Sequence, residues 1–229
     1  MISKEIFHQA RHERRWHLTE DECKQVLIEH RIPVVKSAVV KNLEQAIVAA
    51  RKIGFPVVLK VISPDINHKT EVGGVITGIA DTEYLEKSYF KMLESLKKKA
   101  SSANIKGFLV QEMIEGGQEV IIGGKKDKQF GQVVMFGSGG VFVEVFGDVS
   151  FRVVPINKKD AEEMIAETKG YKILKGFRGK KYSTSSLVDI LLKTSKFLEK
   201  NTQVVELDMN PVLVWENGAT AVDARIIFE

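Results

Sequence analysis

The chain has 229 residues, of which 44% are hydrophobic, 8% aromatic and 28% charged, as is typical of a soluble globular protein rather than a disordered, collagen-like or coiled-coil chain. Its apolar runs are shorter than the roughly 20 residues of a membrane-spanning helix, and residues 1–15 lack the apolar segment of a secretory signal, so we expect no membrane insertion. The single cysteine, Cys23, excludes an internal disulfide framework and a cysteine-cluster metal site, and it favours a cytoplasmic location.

The charge balance does not favour nucleic-acid binding. Lysine and arginine number 34 and aspartate and glutamate 30, which gives a formal net charge of +4 and a pI near 9.0. The basic residues lie in short scattered clusters without regularly interleaved aromatic residues. These clusters are Arg14-Arg15, Lys97-Lys98-Lys99, Lys125-Lys126, Lys158-Lys159 and Lys180-Lys181. We therefore expect a solvated surface or sites for anionic small molecules.

Helices and strands alternate in the first half of the chain. Residues 1–17 are polar and are predicted to form an irregular or helical N-terminal extension. Thr19 can cap the helix that follows it, and the acidic residues after Thr19 suit the positive end of that helix's dipole. In chain order we predict a helix over 19–31, a strand over 34–40, a helix over 42–54, a strand over 56–62, turns over 63–74, a strand over 75–79 and a helix over 81–100.

The second half is richer in glycine, and ten of the 18 glycines lie between Gly107 and Gly147. Glycine pairs and charged turns separate short strand-like runs there, which is typical of an antiparallel sheet. We predict strands over 107–111, 119–123, 132–136, 141–145 and 151–155, helices over 159–168 and 185–201, and closing strands over 202–214 and 219–228. The sequence thus indicates an α+β fold with two lobes that separate near residues 105–115.

Lys60 and His68 are the first candidate functional residues. Lys60 interrupts an apolar strand, so its ammonium must reach water, an acid or a ligand. Strand alternation could place it at the surface, or it contacts a phosphate or purine from a cleft. His68 lies in a turn-rich segment before the pair Gly73-Gly74, whose backbone N–H groups can approach an anion. A loop histidine is available for proton or group transfer, although a plain surface histidine is the simpler reading.

Two further glycine-rich segments are candidates for nucleotide contacts. Glu112 and Glu119 flank Gly116-Gly117, which forms either an ordinary hairpin or a hinge whose backbone reads adenine while an acid holds ribose. The segment Gly137-Ser138-Gly139-Gly140 follows an apolar strand and can cradle phosphate through its N–H groups. It has neither the Walker A spacing nor the dinucleotide-binding fingerprint.

Oxygen-bearing side chains near the end of the chain are candidate metal ligands. Alternation places Glu206, Asp208 and Asn210 on one side of a strand, and Asp223 follows on the next strand. Asp208, Asn210 and Asp223 could hold Mg²⁺ through carboxylate and carbonyl oxygens. The alternative is a polar sheet face without a metal.

Five segments in this order and spacing carry a family resemblance. They are Gly54-Phe55-Pro56-Val57-Val58-Leu59-Lys60, His68-Lys69-Thr70-Glu71-Val72-Gly73-Gly74-Val75, Val110-Gln111-Glu112-Met113-Ile114, Gly137-Ser138-Gly139-Gly140-Val141-Phe142-Val143-Glu144 and Glu206-Leu207-Asp208-Met209-Asn210-Pro211. Together they resemble the ATP-grasp fold and, more closely, the β subunit of ADP-forming acetyl-CoA synthetase (acetate–CoA ligase, ADP-forming). The resemblance implies an ATP-grasp domain over 18–229, with a first lobe over 18–108 and a second over 109–229, whose antiparallel sheets clamp a nucleotide.

The resemblance also implies an activity and a relay. Such enzymes convert acyl-CoA, ADP and phosphate reversibly into free acid, CoA and ATP. A separate or fused α part binds CoA, forms an acyl phosphate and passes the phosphoryl group to its own histidine. His68 is then implied as a second phosphohistidine beside the nucleotide, and a histidine before the glycine pair separates this family from most other ATP-grasp enzymes.

Further roles follow from the same resemblance. Mg²⁺ held by Asp208, Asn210 and Asp223 would bridge the phosphates of ADP or ATP. Lys60 and the N–H groups of Gly73 and Gly74 would offset charge on the moving phosphoryl group. Glu112 and Met113 would read adenine through backbone atoms, and Glu119 would hold ribose. The further phosphate-side or loop-docking residues would be Ser138, Gly139, Gly140 and Arg152.

A complete ligase does not fit in 229 residues, so we expect a CoA-binding α subunit as partner, in an α2β2 heterotetramer. A succinyl-CoA-synthetase-like β subunit is one alternative, against which the short length and His68 argue. A non-catalytic nucleotide-binding module is the other, against which Lys60, His68, Asp208 and Asn210 argue. The sequence leaves open the acyl substrate, the choice between ADP and GDP, and the role of the N-terminal extension.

Overall fold

The computed structural model describes residues 2–66, 68–140, 143, 147–176 and 179–229. The helices are α1 (Ile2–His12), α2 (Glu20–Glu29), α3 (Leu43–Ile53), α4 (Thr82–Lys99), α5 (Lys158–Glu167), α6 (Tyr171–Leu174) and α7 (Thr184–Lys200). The strands are β1 (Ser37–Val40), β2 (Val57–Ile62), β3 (Val75–Ile79), β4 (Gly107–Glu112), β5 (Gln118–Asp127), β6 (Gly131–Gly137), β7 (Val149–Val153), β8 (Val204–Trp215), β9 (Gly218–Ala221) and β10 (Arg225–Phe228). The predicted α+β class with antiparallel sheets is confirmed.

The chain forms two compact units. The smaller unit is Val35–Glu115, and the larger unit joins the residues up to Val34 with Gly116–Glu229. In the predicted division residues 1–17 stood apart and the second lobe began at about residue 109, within the range 105–115, whereas in the structure the residues up to Val34 join the segment that begins at Gly116. The N-terminal segment joins the larger unit because Phe7 and Ala10 of α1 are buried in its core.

The smaller unit is a four-stranded antiparallel sheet in the order β1-β4-β2-β3. The Asn42 side chain accepts the N–H of Gln45 and starts α3, and Gly54 ends that helix with a φ of 100°, which favours glycine. The core of this unit takes alternate residues of β2, which are Val57, Leu59 and Val61. Alternation therefore directs the side chain of Lys60 to the opposite face of the sheet.

The larger unit is a six-stranded antiparallel sheet in the order β10-β8-β5-β6-β7, with β9 paired to β8. Its core includes Phe136 of β6 and Phe197 of α7, together with Leu207 and Met209 of β8. Because Leu207 and Met209 point into this core, Glu206, Asp208 and Asn210 lie on the other face. A one-residue slip of β8 would exchange the two sets, so core packing fixes where the carboxylates face.

The N-terminal segment is tied to the larger unit by aromatic and polar contacts. The rings of Phe7 and Phe228 meet edge to face, with centroids 5.0 Å apart and planes at 75°. The backbone N–H of Ser3 donates to Glu29 Oε2 over 2.6 Å. Arg15 donates two hydrogen bonds to the carboxylate of Glu22, at 2.8 and 2.7 Å. These contacts make residues 2–34 an integral part of the unit that holds β5–β10.

Two local predictions need correction. The predicted strand over 141–145 falls largely outside the described residues, and its one described residue, Val143, is helical. The predicted strand over 219–228 is divided into β9 and β10 by residues 222–224, where Asp223 accepts the N–H of Ala224. Among the described residues, no helix has the length and apolar character needed to cross a membrane.

Replacement of Phe7 tests the role of the N-terminal helix. Phe7→Ala removes a side chain that is 2% exposed and should lower the free energy of unfolding by about 3 kcal/mol, through lost burial and the cavity that remains. Urea titration followed by tryptophan fluorescence reports on the larger unit, because Trp16 and Trp215 both belong to it. Ile2→Ala, at a side chain that is 52% exposed, is the control and should change little. Equal effects of the two variants would contradict the assigned packing.

Candidate active site

The open face of the larger unit's sheet carries a group of carboxylates. Register pairs place Asp208 of β8 opposite Gly123 of β5 on one side and opposite Arg225 of β10 on the other. The next pairs along the strands join Glu206 to Lys125 and to Ile227. The predicted placement of Glu206 and Asp208 on one strand face is therefore what the backbone produces.

The protonation of Asp208 reflects this crowding. Burial raises the pKa of the Asp208 carboxyl above its ordinary value, because an ionised group there loses hydration. The negative charges of Glu206 and Asp223 raise it further, and the positive charge of Arg225 opposes them. The N–H of Val222 donates to the carbonyl of Pro211 over 2.9 Å and Arg225 pairs with Asp208, so the turn that carries Asp223 lies beside this part of β8.

A cavity of about 640 Å³ opens beside these carboxylates. Glu206, Asp208 and Asn210 line it on one side, and an apolar wall lies across the sheet. That wall follows the register, since Met135 of β6 pairs with both Gly123 and Phe151. The cavity thus offers oxygen ligands next to an apolar surface, which suits a ligand with charged and apolar parts.

The donor set fits a magnesium ion that completes its shell with other oxygens. Within the described ranges, no group of three or more histidine, cysteine, aspartate or glutamate side chains is arranged to hold a metal. The predicted set contains only two carboxylates, Asp208 and Asp223, with the amide of Asn210. Mg²⁺ is commonly held by one or two carboxylates together with water and substrate phosphates. The crowded carboxylates, whose repulsion a cation would relieve, agree with such a site.

Glu119 lies next to the glycine-rich segment after β6. Gly139, with a φ of 71°, packs on the backbone of Glu119, so that a Cβ at Gly139 would come within 2.4 Å of the Glu119 carbonyl oxygen. A Cβ at Gly140 would lie 3.9 Å from Glu119 Oε2. The Glu119 side chain is exposed, and it stands beside Gly139-Gly140 within the larger unit. The fold therefore brings together three of the predicted nucleotide contacts.

Ser138 has a different task from the predicted one. Its side chain is 3% exposed and donates a hydrogen bond to the carboxylate of Asp148. The N–H groups of Lys169 and Gly170 donate to the same carboxylate, at 2.8 and 3.0 Å. Burial would raise the pKa of Asp148, but the hydrogen bonds from Ser138, Lys169 and Gly170 outweigh it and lower the pKa. The Ser138 hydroxyl thus anchors the loop internally, and its predicted role on the phosphate side is not supported.

Arg152 likewise faces away from the cavity. Its guanidinium pairs with the carboxylate of Glu167 in α5, and one nitrogen donates to Glu167 Oε2 over 3.0 Å. The hydrogen bond to Glu167 raises the pKa of Arg152. The neighbouring residue in β7, Phe151, lines the cavity, so strand alternation puts Arg152 on the helix-covered face. A loop-docking or phosphate contact by Arg152 is therefore not supported by its position.

In the smaller unit, Lys60 is buried. Its side chain is 6% exposed in the central strand β2, where it pairs with Val75 of β3 and Leu109 of β4. The alternative of a solvent-exposed surface lysine is therefore wrong. A buried ammonium needs polar partners, so the surroundings of the Lys60 ammonium are polar within an otherwise apolar sheet.

His68 lies in an exposed loop of the smaller unit. Its side chain is 78% exposed, and Nδ1 is 4.0 Å from Glu71 Oε1. The imidazole lines a cavity of about 620 Å³ together with Asp65, Glu71 and Lys99. An exposed imidazole at a cavity is accessible to a phosphoryl donor. Exposure is expected both of a histidine that transfers a phosphoryl group and of a plain surface histidine, so it does not distinguish the two predictions.

The glycine pair after His68 does not present its N–H groups to a ligand. Gly73 donates its N–H to the carbonyl of Thr70 over 3.1 Å, and Gly74 donates to the carbonyl of Lys69 over 2.7 Å. Both donors are used to close the loop, so the predicted role of these N–H groups in offsetting phosphoryl charge is not supported. Gly73 has a φ of 70°, and a Cβ there would lie 2.5 Å from Ser95 Oγ. Glycine is required for this close approach.

Glu112 and Met113 also have occupied N–H groups. The N–H of Glu112 donates to the carbonyl of Lys36 over 2.9 Å, and that of Met113 donates to the carbonyl of Pro56 over 3.1 Å. The Glu112 carboxylate lies 3.7 Å from the Lys36 ammonium. If these two residues read adenine through their backbone, they must do so with carbonyl oxygens.

Sequence reasoning missed the side chains that support the candidate residues. Asp148 carried no signal, because its three hydrogen-bond donors come from residues 10 to 22 positions away. Ser95 and Lys99 hydrogen-bond the loop that contains His68. Their spacing of four on a predicted helix could have shown that they share one helix face.

Comparisons with known proteins agree with this fold. Residues 9–228 match the model of the ATP-grasp domain. The β subunit of ADP-forming acetate–CoA ligase I from Pyrococcus furiosus is 41% identical over 226 residues, which cover 98% of this chain and 97% of that protein. The ADP-forming 4-hydroxybutyrate–CoA ligase of Nitrosopumilus maritimus is 41% identical over 227 residues, 98% of this chain and 32% of that protein.

Solved structures of related proteins have a similar fold. Dinucleotide-forming acetyl-coenzyme A synthetase 1 of Ca. Korarchaeum cryptofilum, in complex with coenzyme A, Ca-AMPCP and HgCl+, is similar with a TM-score of 0.95 and 43% identity, over 99% of this chain and 100% of that chain. A second structure of that synthetase, with coenzyme A and Mg-AMPPCP, has a phosphohistidine segment pointing towards the nucleotide-binding site. It has a TM-score of 0.88 and 41% identity over 99% of this chain and 100% of that chain.

The fold and the matched residues define an ATP-grasp domain. The chain belongs, more narrowly, to the family of β subunits of ADP-forming acetate–CoA ligases, which confirms the resemblance found in the sequence. It spans about a third of the length of the relatives in which further parts share the polypeptide, 30% of the Archaeoglobus fulgidus ligase I and 32% of the Nitrosopumilus maritimus enzyme.

The raised pKa of Asp208 predicts a pH dependence of stability. The stabilising contribution of a carboxyl with a raised folded pKa is present below its ordinary pKa and is lost as pH rises through the folded value. Asp208→Asn removes this loss. In chelator, the variant should therefore gain stability relative to the wild type as pH rises above the ordinary aspartate pKa of 3.8, as measured by urea titration.

The control for Asp208→Asn is Glu199→Gln, an exposed carboxylate of α7 in the same unit. Its profile should stay parallel to that of the wild type. Added Mg²⁺ should stabilise the wild type at pH 7.5 more than Asp208→Asn, because the cation relieves the same repulsion. Parallel wild-type and Asp208→Asn profiles, with equal responses to Mg²⁺, would contradict the assignment.

Proposed function

We propose that this chain is the nucleotide-binding, phosphoryl-transferring subunit of an ADP-forming acyl-CoA synthetase. The observation that carries the proposal is the exposed imidazole of His68 at a cavity, in a chain whose family joins acids to CoA with ADP formation. The cavity with Asp208 and Asn210 in the larger unit supports a place for Mg-nucleotide. In the direction of ATP synthesis, the substrates at this subunit are ADP and a phosphorylated histidine of a partner.

The proposed chemistry at His68 is a double transfer. A neutral imidazole nitrogen of His68 attacks the phosphorus of the donor phosphohistidine, so one N–P bond forms as the other breaks and the donor nitrogen recovers its electron pair. A terminal oxygen of the β-phosphate of ADP then attacks the same phosphorus. The P–O bond of ATP forms, the N–P bond at His68 breaks, and the free imidazole is restored. Because an N–P bond keeps a high transfer potential, the relay is reversible.

The candidate residues would have different roles according to their charge. Asp208, Asn210 and Asp223 would hold Mg²⁺, which when bound neutralises phosphate charge and draws the nucleotide's oxygens into a fixed arrangement. Glu119, beside the glycine-rich segment, would accept hydrogen bonds from ribose hydroxyls. Lys60 would contribute positive charge near the transferring group, which its burial makes stronger than the same charge in water.

The partner and the acyl substrate belong to the same proposal. We infer that a CoA-binding α subunit forms the acyl phosphate and joins this chain in an α2β2 assembly. The relatives include an acetate–CoA ligase β subunit and a 4-hydroxybutyrate–CoA ligase at equal identity, so similarity does not select the acid. The acid is read by the part of the enzyme that holds CoA, and an acid panel with the reconstituted complex identifies it.

Replacement of His68 tests the relay directly. The chain incubated with Mg²⁺ and γ-labelled ATP should take up label that is stable in alkali and lost in acid, as expected of a phosphohistidine. His68→Asn should abolish this label, while Mg-ADP binding measured by calorimetry changes less than about threefold, because the nucleotide's proposed ligands remain. His12→Asn, at an exposed histidine of α1, is the matched control and should label normally. Full labelling of His68→Asn would overturn the role of His68.

Reconstitution tests the need for a partner. We expect the chain alone to form no ATP from acetyl-CoA, ADP and phosphate, since no CoA site is proposed in it. Addition of the α subunit co-purified from the native source should restore ATP formation. The restored activity should fall by at least about 100-fold with His68→Asn, as for loss of a covalent intermediate. ATP formation from acyl-CoA by the isolated chain would contradict the division of labour.

A further inference from the structure

The loop that contains His68 is held from one side by the last turns of α4. Ser95 Oγ donates to the carbonyl of Val72 over 2.8 Å, and Lys99 Nζ donates to the carbonyl of Glu71 over 3.0 Å. Ser95 and Lys99 are four residues apart, so they lie on one face of the helix. Two side chains of one helix face thus bind two successive carbonyl groups of the loop.

The packing around Gly73 brings the loop and the helix together. With its φ of 70°, Gly73 allows the backbone to pass so close to α4 that any Cβ would meet the Ser95 hydroxyl at 2.5 Å. The carbonyl of the following residue, Gly74, accepts the N–H of Val61 in β2 over 2.8 Å. The C-terminal end of the loop is therefore fixed to the helix on one side and to the sheet on the other.

The N-terminal end of the loop is also hydrogen-bonded to the segment that follows α4. The N–H of Asn104, five residues after the end of α4, donates to Asp65 Oδ2 over 2.7 Å. Asp65, Lys99 and His68 all line the cavity of about 620 Å³, as do Ser102 and Ala103. Asp65 on one side of His68, and Glu71 and Val72 on the other, are thus hydrogen-bonded to α4 and the turn that follows it.

We propose that Ser95 and Lys99 are positioning residues that hold the His68 loop so that its imidazole meets the phosphoryl donor and acceptor; this rests on the proposed role of His68. An exposed loop without such ties would spread the imidazole over many positions, and a misplacement of about 1 Å at a reacting atom can cost a large part of the rate. The two side chains act on the loop through its backbone carbonyls. Their loss should lower the rate of phosphoryl transfer while nucleotide affinity is kept.

The rate of His68 labelling from γ-labelled Mg-ATP gives the first test. Ser95→Ala and Lys99→Met should each lower the rate at saturating ATP by about 5-fold to 10-fold, as loss of one hydrogen bond predicts, with the half-saturating ATP concentration unchanged within about twofold. Lys99→Arg keeps a cationic donor and should restore at least half of the rate. Lys98→Met removes a neighbouring lysine that pairs with Glu94 on the helix surface, and it is the matched control for charge and length.

Hydrogen exchange of the loop amides gives the second test, which is independent of catalysis. The amides of Gly73 and Gly74 are bonded within the loop, so they should exchange at least about fivefold faster in Ser95→Ala and Lys99→Met, and at the wild-type rate in Lys98→Met. Unchanged exchange in both loop variants would overturn the proposal. So would a rate loss that appears only in the half-saturating concentration, or a loss of the same size in Lys98→Met.

The two tests separate this inference from the proposed function. If the wild type takes up no label, the role of His68 fails and the positioning role fails with it, whatever the exchange data say about the loop. If the wild type is labelled and His68→Asn is not, the proposed function stands, and the Ser95 and Lys99 variants alone decide the inference.

Discussion

The packing of β8 against the core is the constraint that places carboxylates on the open face of the larger unit's sheet. Glu206 and Asp223 both raise the pKa of Asp208, and burial raises it more than either. Such an arrangement costs stability when all three are ionised, and Arg225 offsets only part of that cost. The strand cannot turn the carboxylates away, because Leu207 and Met209 between them are locked in the core. The sheet therefore concentrates negative charge on its open face, where the proposed magnesium ligands lie.

The glycine-rich segment after β6 serves this arrangement by packing. Gly139 presses on the backbone of Glu119, and the buried Ser138–Asp148 pair ties the segment to the N–H groups of Lys169 and Gly170. A buried carboxylate that accepts three hydrogen bonds restricts the motion of its donors, because the loss of any donor would leave part of the carboxylate charge uncompensated. Glu119 itself is placed by the sheet, where it pairs with Leu213 of β8, the strand that carries Asp208. The segment thus contributes shape, and the carboxylates contribute charge.

The sequence predicted those features that depend on local pattern. Alternation along β8 was enough to put Glu206, Asp208 and Asn210 on one face, and the apolar run around Lys60 was enough to mark it as unusual. Features that depend on distant partners were beyond it. Nothing in β7 alone shows that Arg152 meets Glu167 on the helix-covered face, and the N–H groups of Gly73 and Gly74 are occupied only because the loop closes on itself. The N-terminal helix was set apart for the same reason, since the partner of Phe7 is Phe228, at the far end of the chain.

The candidate residues lie on two different hydrophobic cores, so a substitution in one core acts first on the candidate residues of the same unit. Lys60 and His68 depend on the core of the smaller unit, whereas Glu119, Asp208 and Asp223 depend on the core of the larger unit. Each of these two groups of residues is thus positioned by the packing of its own unit, so a cavity made in one core disturbs the residues of that unit first. Distant sites without shared partners add in free energy, whereas neighbours do not. Pairs of substitutions within the His68 loop and α4 should therefore be strongly coupled in stability, because these residues share hydrogen bonds.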